Sequence, residues 1–102
     1  MQAQQYTGGV AISAIWEAKA GEEDAVAAIL TRLGEAARTE PGVKLFLVHR
    51  GATNPGQFLF YELFEDEAAF AAHQQTAHFK SLVIEQGLPR LTKRERVQYA
   101  VL

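Results

Sequence analysis

Apolar and polar residues change period along this chain clearly enough to draw an element map. From Val10 to Lys19 they alternate, with Val10, Ile12, Ala14, Trp16 and Ala18 on one face and Ala11, Ser13, Ile15 and Glu17 on the other, which predicts a strand. Past the Ala20-Gly21 turn the period lengthens. Val26, Ile29, Leu30, Leu33 and Ala37 recur at three and four residue spacing, the stripe of a helix that packs on one side. Glu22, Glu23 and Asp24 load its positive start with acid, and Glu40-Pro41-Gly42 stops it, because the residue before a proline is biased out of the helical region. A second strand spans Val43 to Arg50, with Val43, Leu45, Leu47 and His49 on one face and Lys44, Phe46, Val48 and Arg50 on the other. The segment from Gly51 to Gly56, rich in glycine, asparagine and proline, predicts a hairpin loop.

The hairpin makes strand three, Phe58 to Phe64, antiparallel to strand two. On it Phe58, Phe60, Glu62 and Phe64 share one face, and Leu59, Tyr61 and Leu63 the other. A second helical region follows from Asp66, a good N-cap before an alanine-rich run, to about Gln86, where Gly87-Leu88-Pro89 ends it. Arg96 to Leu102 alternates again and predicts strand four. The order β-α-β-β-α-β with right-handed crossovers specifies an α+β, ferredoxin-like fold: a four-stranded antiparallel sheet with both helices on one face. The other face is then bare and carries aromatic residues. A soluble monomer rarely leaves such a patch exposed, so the pattern predicts a homodimer whose paired sheets enclose a pocket.

Composition narrows the function classes. The chain has 102 residues, 48% of them hydrophobic and 22% charged, which fits one globular domain, residues 10–102, behind a polar tail, residues 1–9. A net charge of −2 gives no broad basic field for nucleic acid. There is no cysteine, hence no disulfide, thiolate metal site or cysteine nucleophile. No run approaches the length of a membrane span and no signal peptide is indicated, so a cytoplasmic protein is expected, with no membrane partner.

Chemistry can reside in few places. His73 and His78 are five residues apart, about 140° around one continuous helix, so they cannot both ligate a metal from it. Thr76 is a plausible N-cap, however, and a break there would free that geometry. Glu62 is a carboxylate in register with three phenylalanines; if buried, it needs a partner, such as Arg50 or Arg96, or its pKa rises. His49, near the end of strand two, suits a pocket rim. Arg90, Lys93, Arg94 and Arg96 form either a solvated surface or an attraction for anions at a pocket mouth. No glycine-rich phosphate loop or nucleophile elbow is present.

The segment Tyr61-Glu-Leu-Phe-Glu-Asp-Glu-Ala-Ala-Phe-Ala-Ala-His73-Gln-Gln-Thr-Ala-His78-Phe79, with Glu40-Pro41-Gly42 upstream, resembles the antibiotic biosynthesis monooxygenase family, in particular its small quinol monooxygenase-like members. The resemblance covers nearly all of Val10 to Leu102. It implies a dimeric α/β barrel and a cofactor-independent oxidation of a hydroquinol or polyketide-like hydroxyaromatic, with molecular oxygen as co-substrate and no metal or bound cofactor. It implies His73 as the base, Glu62 as its orienting or charge-balancing partner and His78 as an aid to proton transfer. Trp16, Phe60 and Phe64 become apolar walls, and Phe79 and His49 further substrate contacts. Phe64 stands where many members carry tryptophan; it keeps the packing and loses the indole N–H donor, which weakens a haem-degrading reading. Two other readings remain open at this point: a dimeric small-molecule-binding or stress-protective protein without turnover, and an isomerase or lyase acting on a small anionic substrate, with the basic cluster from Arg90 to Arg96 facing the pocket.

Overall fold

A computed structural model describes residues 6–102; Met1–Gln5, part of the expected tail, lie outside the described residues. The elements are β1 (Val10–Ala18), α1 (Glu23–Ala37), β2 (Val43–Arg50), β3 (Gln57–Phe64), α2 (Glu67–Gln75), α3 (Phe79–Gly87), a 3₁₀ turn at Leu88–Arg90 and β4 (Leu91–Ala100). All strand pairs are antiparallel and the sheet order is β2-β3-β1-β4. This is the ferredoxin-like α+β arrangement that the β-α-β-β-α-β order predicts.

Two boundaries differ from the expectation. β4 starts at Leu91 rather than Arg96. The 3₁₀ turn delivers the chain directly to the edge of β1, where Lys19 N donates to Arg90 O at 2.8 Å. Pairing of Trp16 with Arg94 and of Ala14 with Arg96 then turns a run of charges into strand. The second helical region is also two helices, not one. Thr76 is extended (φ −67°, ψ 152°), ends α2, and its Oγ1 donates to His73 O at 2.8 Å while accepting from Phe79 N at 3.1 Å. The break considered at Thr76 is therefore real. Beyond it α3 is wound as a π-helix, a geometry that is uncommon over more than a turn and concentrates near functional sites.

Asp66 caps α2 by accepting from Ala69 N at 2.8 Å. Asp66→Ala is expected to cost about 1 kcal/mol, to be read as a lowered midpoint of urea unfolding.

Both helical layers cover one face of the sheet, and the alternation assigned to β1 and β3 points the expected residues at them. Trp16, Phe58 and Phe60 join Val26, Leu30 and Leu33 of α1, Phe46 of β2 and Val83 of α3 in the main core. Val10, Ile12 and Phe64 form a smaller cluster at one end. Trp16 meets Phe60 with ring centroids 5.0 Å apart. Gly87 closes α3 directly beneath the indole. A Cβ there would lie 2.6 Å from Trp16 Cη2 and 2.9 Å from Leu82 O, so Gly87→Ala must displace a packed aromatic. A loss of roughly 1–3 kcal/mol is expected, together with a shift in Trp16 fluorescence emission that a remote alanine substitution would not cause.

The opposite face of the sheet is bare of helices. Leu47, Leu59, Tyr61, Val97 and Tyr99 are exposed there, in cross-strand rows such as Leu47-Tyr61-Ser13-Val97. Among the described residues, no helix is long and apolar enough to cross a membrane.

Candidate functional site

The site begins at a loop residue. Glu40 follows α1 and precedes Pro41; its amide donates to Ala37 O and its carbonyl accepts from Val43 N, which fixes it in the α1–β2 connection. From there its side chain reaches under α2. Glu40 Oε2 lies 2.8 Å from His73 Nδ1 and 2.7 Å from His78 Nε2. A carboxylate oxygen only accepts, so both ring nitrogens donate to it. The Thr76 break makes this possible: two histidines that one continuous helix would point apart come to a centroid distance of 6.3 Å.

The other nitrogen of His73 faces the sheet, with Nε2 3.8 Å from Glu62 Oε1. The imidazole is 1% exposed and lies among Phe46, Phe64 and Phe79, at centroid distances of 5.6, 5.3 and 5.3 Å. Burial in this aromatic setting pushes its pKa below the ordinary histidine value, against the pull of Glu40, while His78 and Arg96 lower it further. His73 is thus a neutral imidazole at neutral pH with its proton on Nδ1, leaving the Nε2 lone pair directed toward Glu62. Glu62 itself is buried, and burial raises its pKa from 4.5 to about 7; Glu40 adds to the rise, and the charges of Arg96 and Arg94 oppose it.

Between them lies a narrow cavity within one chain, between sheet and helices. Its walls are Trp16, Phe60, Phe70 and Phe79, with Ala14, Leu33 and Val83 behind; its polar lining is Glu62, His73, Arg94 and Arg96. Its free space is about 20 Å³, room for about one water molecule. Arg96 extends over the Phe70 ring at 5.6 Å. Arg94 is held below the usual arginine range by burial and by Arg96, with Glu62 acting in the opposite sense.

The structure therefore gathers His73, Glu62, Trp16, Phe60 and Phe79 around one cavity; His78 lies outside its lining, joined to His73 through Glu40, and Phe64 packs behind the His73 ring. His49 is a correction: it lies outside the cavity, its Nδ1 3.0 Å from Leu59 O, beside a separate surface hollow with Arg50 and Phe58. This cavity lies on the helix-covered face, whereas a pocket enclosed by paired sheets would lie on the opposite one. The basic cluster divides. Arg94 and Arg96 face the cavity, whereas Lys93 meets Glu95 at 3.2 Å and Glu17 at 3.7 Å, and Arg90 donates to Gln86 O at 2.6 Å. Arg50, considered as a partner for Glu62, pairs with Asp24 instead at 2.9 Å.

Sequence reasoning missed Glu40, reading it only as a helix stop. It lies 33 and 38 positions from the two histidines it joins. The one available signal was a carboxylate placed where the proline behind it forces the chain out of the helix. Glu40, His73 and His78 also bring three metal-ligating atoms within 4.8 Å of one another.

Residues 10–83 match the model of the family described as antibiotic biosynthesis monooxygenase. The chain is similar to a solved antibiotic biosynthesis monooxygenase structure at 26% identity and a TM-score of 0.84, covering 91% of this chain and 98% of that one. It is also similar to a Pseudomonas aeruginosa protein at 24% identity and a TM-score of 0.87, over 95% and 97% of the two chains. A conserved Methanosarcina mazei protein aligns at 20% identity and a TM-score of 0.88, over 99% and 100%. At these last two identities the likeness shows the fold alone. No curated protein matches the chain.

Proposed function

The chain belongs to the antibiotic biosynthesis monooxygenase family, and from that premise we propose that it is a cofactor-independent monooxygenase that oxidises a hydroquinol or polyketide-like hydroxyaromatic with molecular oxygen. The observation that carries the reading is the pose of His73: Nδ1 bound to Glu40, and Nε2, with Glu62 Oε1 3.8 Å away and outside hydrogen-bond distance, at an aromatic-walled cavity. In this reading a flat ring lies between Trp16, Phe60 and Phe79 with its hydroxyl on Nε2. His73 takes the phenolic proton, and Glu40 and Glu62 stabilise the imidazolium that forms, as a carboxylate does for a histidine base. Arg94 and Arg96 offset the phenolate charge.

The electron-rich phenolate is itself the reductant of O₂. One oxygen atom forms a new carbonyl on the ring, the other leaves as water with the two hydrogens lost from the ring carbon and the hydroxyl, and a quinone results. His78 shares Glu40 with His73 and assists return of the proton. The cavity holds about one water as it stands, so substrate entry requires α3 and the two arginines of β4 to part, a motion typical of sites that exclude water during reaction.

The bare face of the sheet supports a homodimer in which Leu47, Leu59, Tyr61, Val97 and Tyr99 are covered by a second copy, the dimeric α/β barrel, acting in the cytoplasm. Sedimentation at twice the chain mass tests it.

The test of function is oxygen uptake by chelator-treated protein across hydroquinols and polycyclic phenols, with quenching of Trp16, the single tryptophan, as a parallel measure of binding. Uptake above autoxidation on any ligand that quenches Trp16 is expected. Ligands that saturate the quenching and consume no oxygen would turn the reading into one of binding without turnover.

A further inference from the structure

Glu40, His73 and His78 have a property the proton chemistry does not use. They come from three separate segments, the α1–β2 loop, α2 and the start of α3, and each is fixed by its own device: the turn before Pro41, the Asp66-capped helix, and the Thr76 cap. Their Oε2, Nδ1 and Nε2 atoms converge on one spot. Two imidazole nitrogens and one carboxylate oxygen, with a further position open, are the donor set that imidazole-binding divalent ions such as zinc take.

A second observation points the same way. A metal-bound histidine usually donates its other ring N–H to a carboxylate, which fixes the tautomer and raises ligand basicity. Glu62 Oε1 stands 3.8 Å from His73 Nε2, on the side of the ring away from Glu40. A closing shift of roughly 1 Å would make it the second partner that a metal-bound His73 needs. The side chains of His73 and Glu40 are 2% and 11% exposed and that of His78 24%, so the cluster is sheltered on two sides and reached from the third.

We propose that Glu40 Oε2, His73 Nδ1 and His78 Nε2 form a binding site for a first-row divalent transition ion of the zinc class, and that filling it switches off the base. The present N···O separations of 2.7 and 2.8 Å are hydrogen-bond lengths. An ion about 2.1 Å from each ligand spreads them to about 3.4 Å. This requires the Glu40 side chain to rotate. The ion replaces the two N–H protons on Oε2. Metallation of Nδ1 leaves the remaining proton of His73 on Nε2, where it donates to Glu62, and no lone pair then faces the cavity. The inhibitory half of the proposal rests on the monooxygenase reading; the site itself does not.

The experiment is calorimetric titration of Zn²⁺ into the full-length, chelator-treated protein, with Co²⁺ absorption as a coordination readout and long-range ¹H–¹⁵N NMR of the histidine rings. One ion per chain, visible Co²⁺ bands of a four- or five-coordinate site, and a change of His73 from the Nδ1–H to the Nε2–H form on adding Zn²⁺ are expected. His78→Ala and Glu40→Gln should each weaken binding more than tenfold, and Glu62→Gln by about tenfold through the lost second partner. His78 is partly exposed, so its variant keeps the test clear of misfolding. Equal affinity in wild type and His78→Ala, or an unchanged His73 tautomer at saturating Zn²⁺, would overturn the proposal. Absent oxygen uptake with Zn²⁺ binding intact counts against the monooxygenase reading alone.

Discussion

Replacing His73 with alanine is expected to lower turnover-linked oxygen uptake by about 10²–10⁴-fold, the usual worth of a positioned general base. The expectation follows from geometry. Among the described residues that line the cavity, His73 alone offers a neutral nitrogen lone pair; Arg94 and Arg96 only donate, and Glu62 lies beside Nε2 as its partner. The substitution also leaves a void among Phe46, Phe64 and Phe79 and deprives Glu40 of one of its two donors, so some loss of stability accompanies it. Added imidazole separates the two effects. If the void is the only fault, imidazole raises the unfolding midpoint without restoring uptake; if the missing lone pair limits the reaction, it restores uptake in proportion to the fraction of free base. Near wild-type uptake in folded His73→Ala on a verified substrate removes His73 from the base role.

The second large effect is on stability and carries a sign that depends on pH. Glu62 has its pKa raised from 4.5 to about 7 in the folded chain. The folded state therefore holds the Glu62 proton more tightly than the unfolded state does. Below pH 4.5 both states are protonated and nothing is lost; between pH 4.5 and about 7 stability falls as pH rises, and above that the buried charge costs roughly 3 kcal/mol. Glu62→Gln removes the charge and keeps the shape. It is expected to stabilise by up to about 3 kcal/mol at pH 8 and by little at pH 4. His73 acts in the opposite direction: its pKa is lowered, so its contribution is full above 6.5 and declines as pH falls. Comparing both proteins by urea unfolding from pH 4 to 8 checks the pH profile. A stability difference that stays constant over that range would show that Glu62 is not held protonated by burial. In the monooxygenase reading, the stabilised variant should also be the slower enzyme above about pH 7, where the ionised Glu62 of the wild type can balance an imidazolium and glutamine cannot.

Much of this was legible in the residues, and what was not has physical reasons. Period-two alternation divided the residues of β1 and β3 between the two faces as the structure has them, because one face is covered by helices and slippage by one residue would expose Trp16 and three phenylalanines. The Asp66 cap and the Thr76 break were readable because short polar side chains at helix ends act on amides one turn away. The start of β4 was hidden, since Lys93-Arg94-Glu95-Arg96 offers no apolar alternation; its period lies in which charges face the cavity. Glu40 was hidden for a different reason. Its partners are distant in sequence, and a local pattern carries no information about a contact closed by the α1–β2 turn and the helix break together. The cavity on the covered face was hidden as well, because no local pattern shows that Glu62, Arg94 and Arg96, on strands far apart in sequence, converge there.

One hydroxyl group connects these features. Thr76 Oγ1 donates to the last turn of α2 and accepts from the first amide of α3, and Thr76 is the extended residue in the three-residue joint, 76–78, between the two helices. The segment that carries His73 and the segment that carries Phe79 and Val83 of the cavity wall are thereby separate helices meeting at one joint. Substitutions at Val83, which does not pack on the imidazole, can reshape the cavity wall while α2 keeps His73 on Glu40. Division of labour across one joint leaves ligand preference free to drift under selection without each step having to rebuild the proton-handling pair.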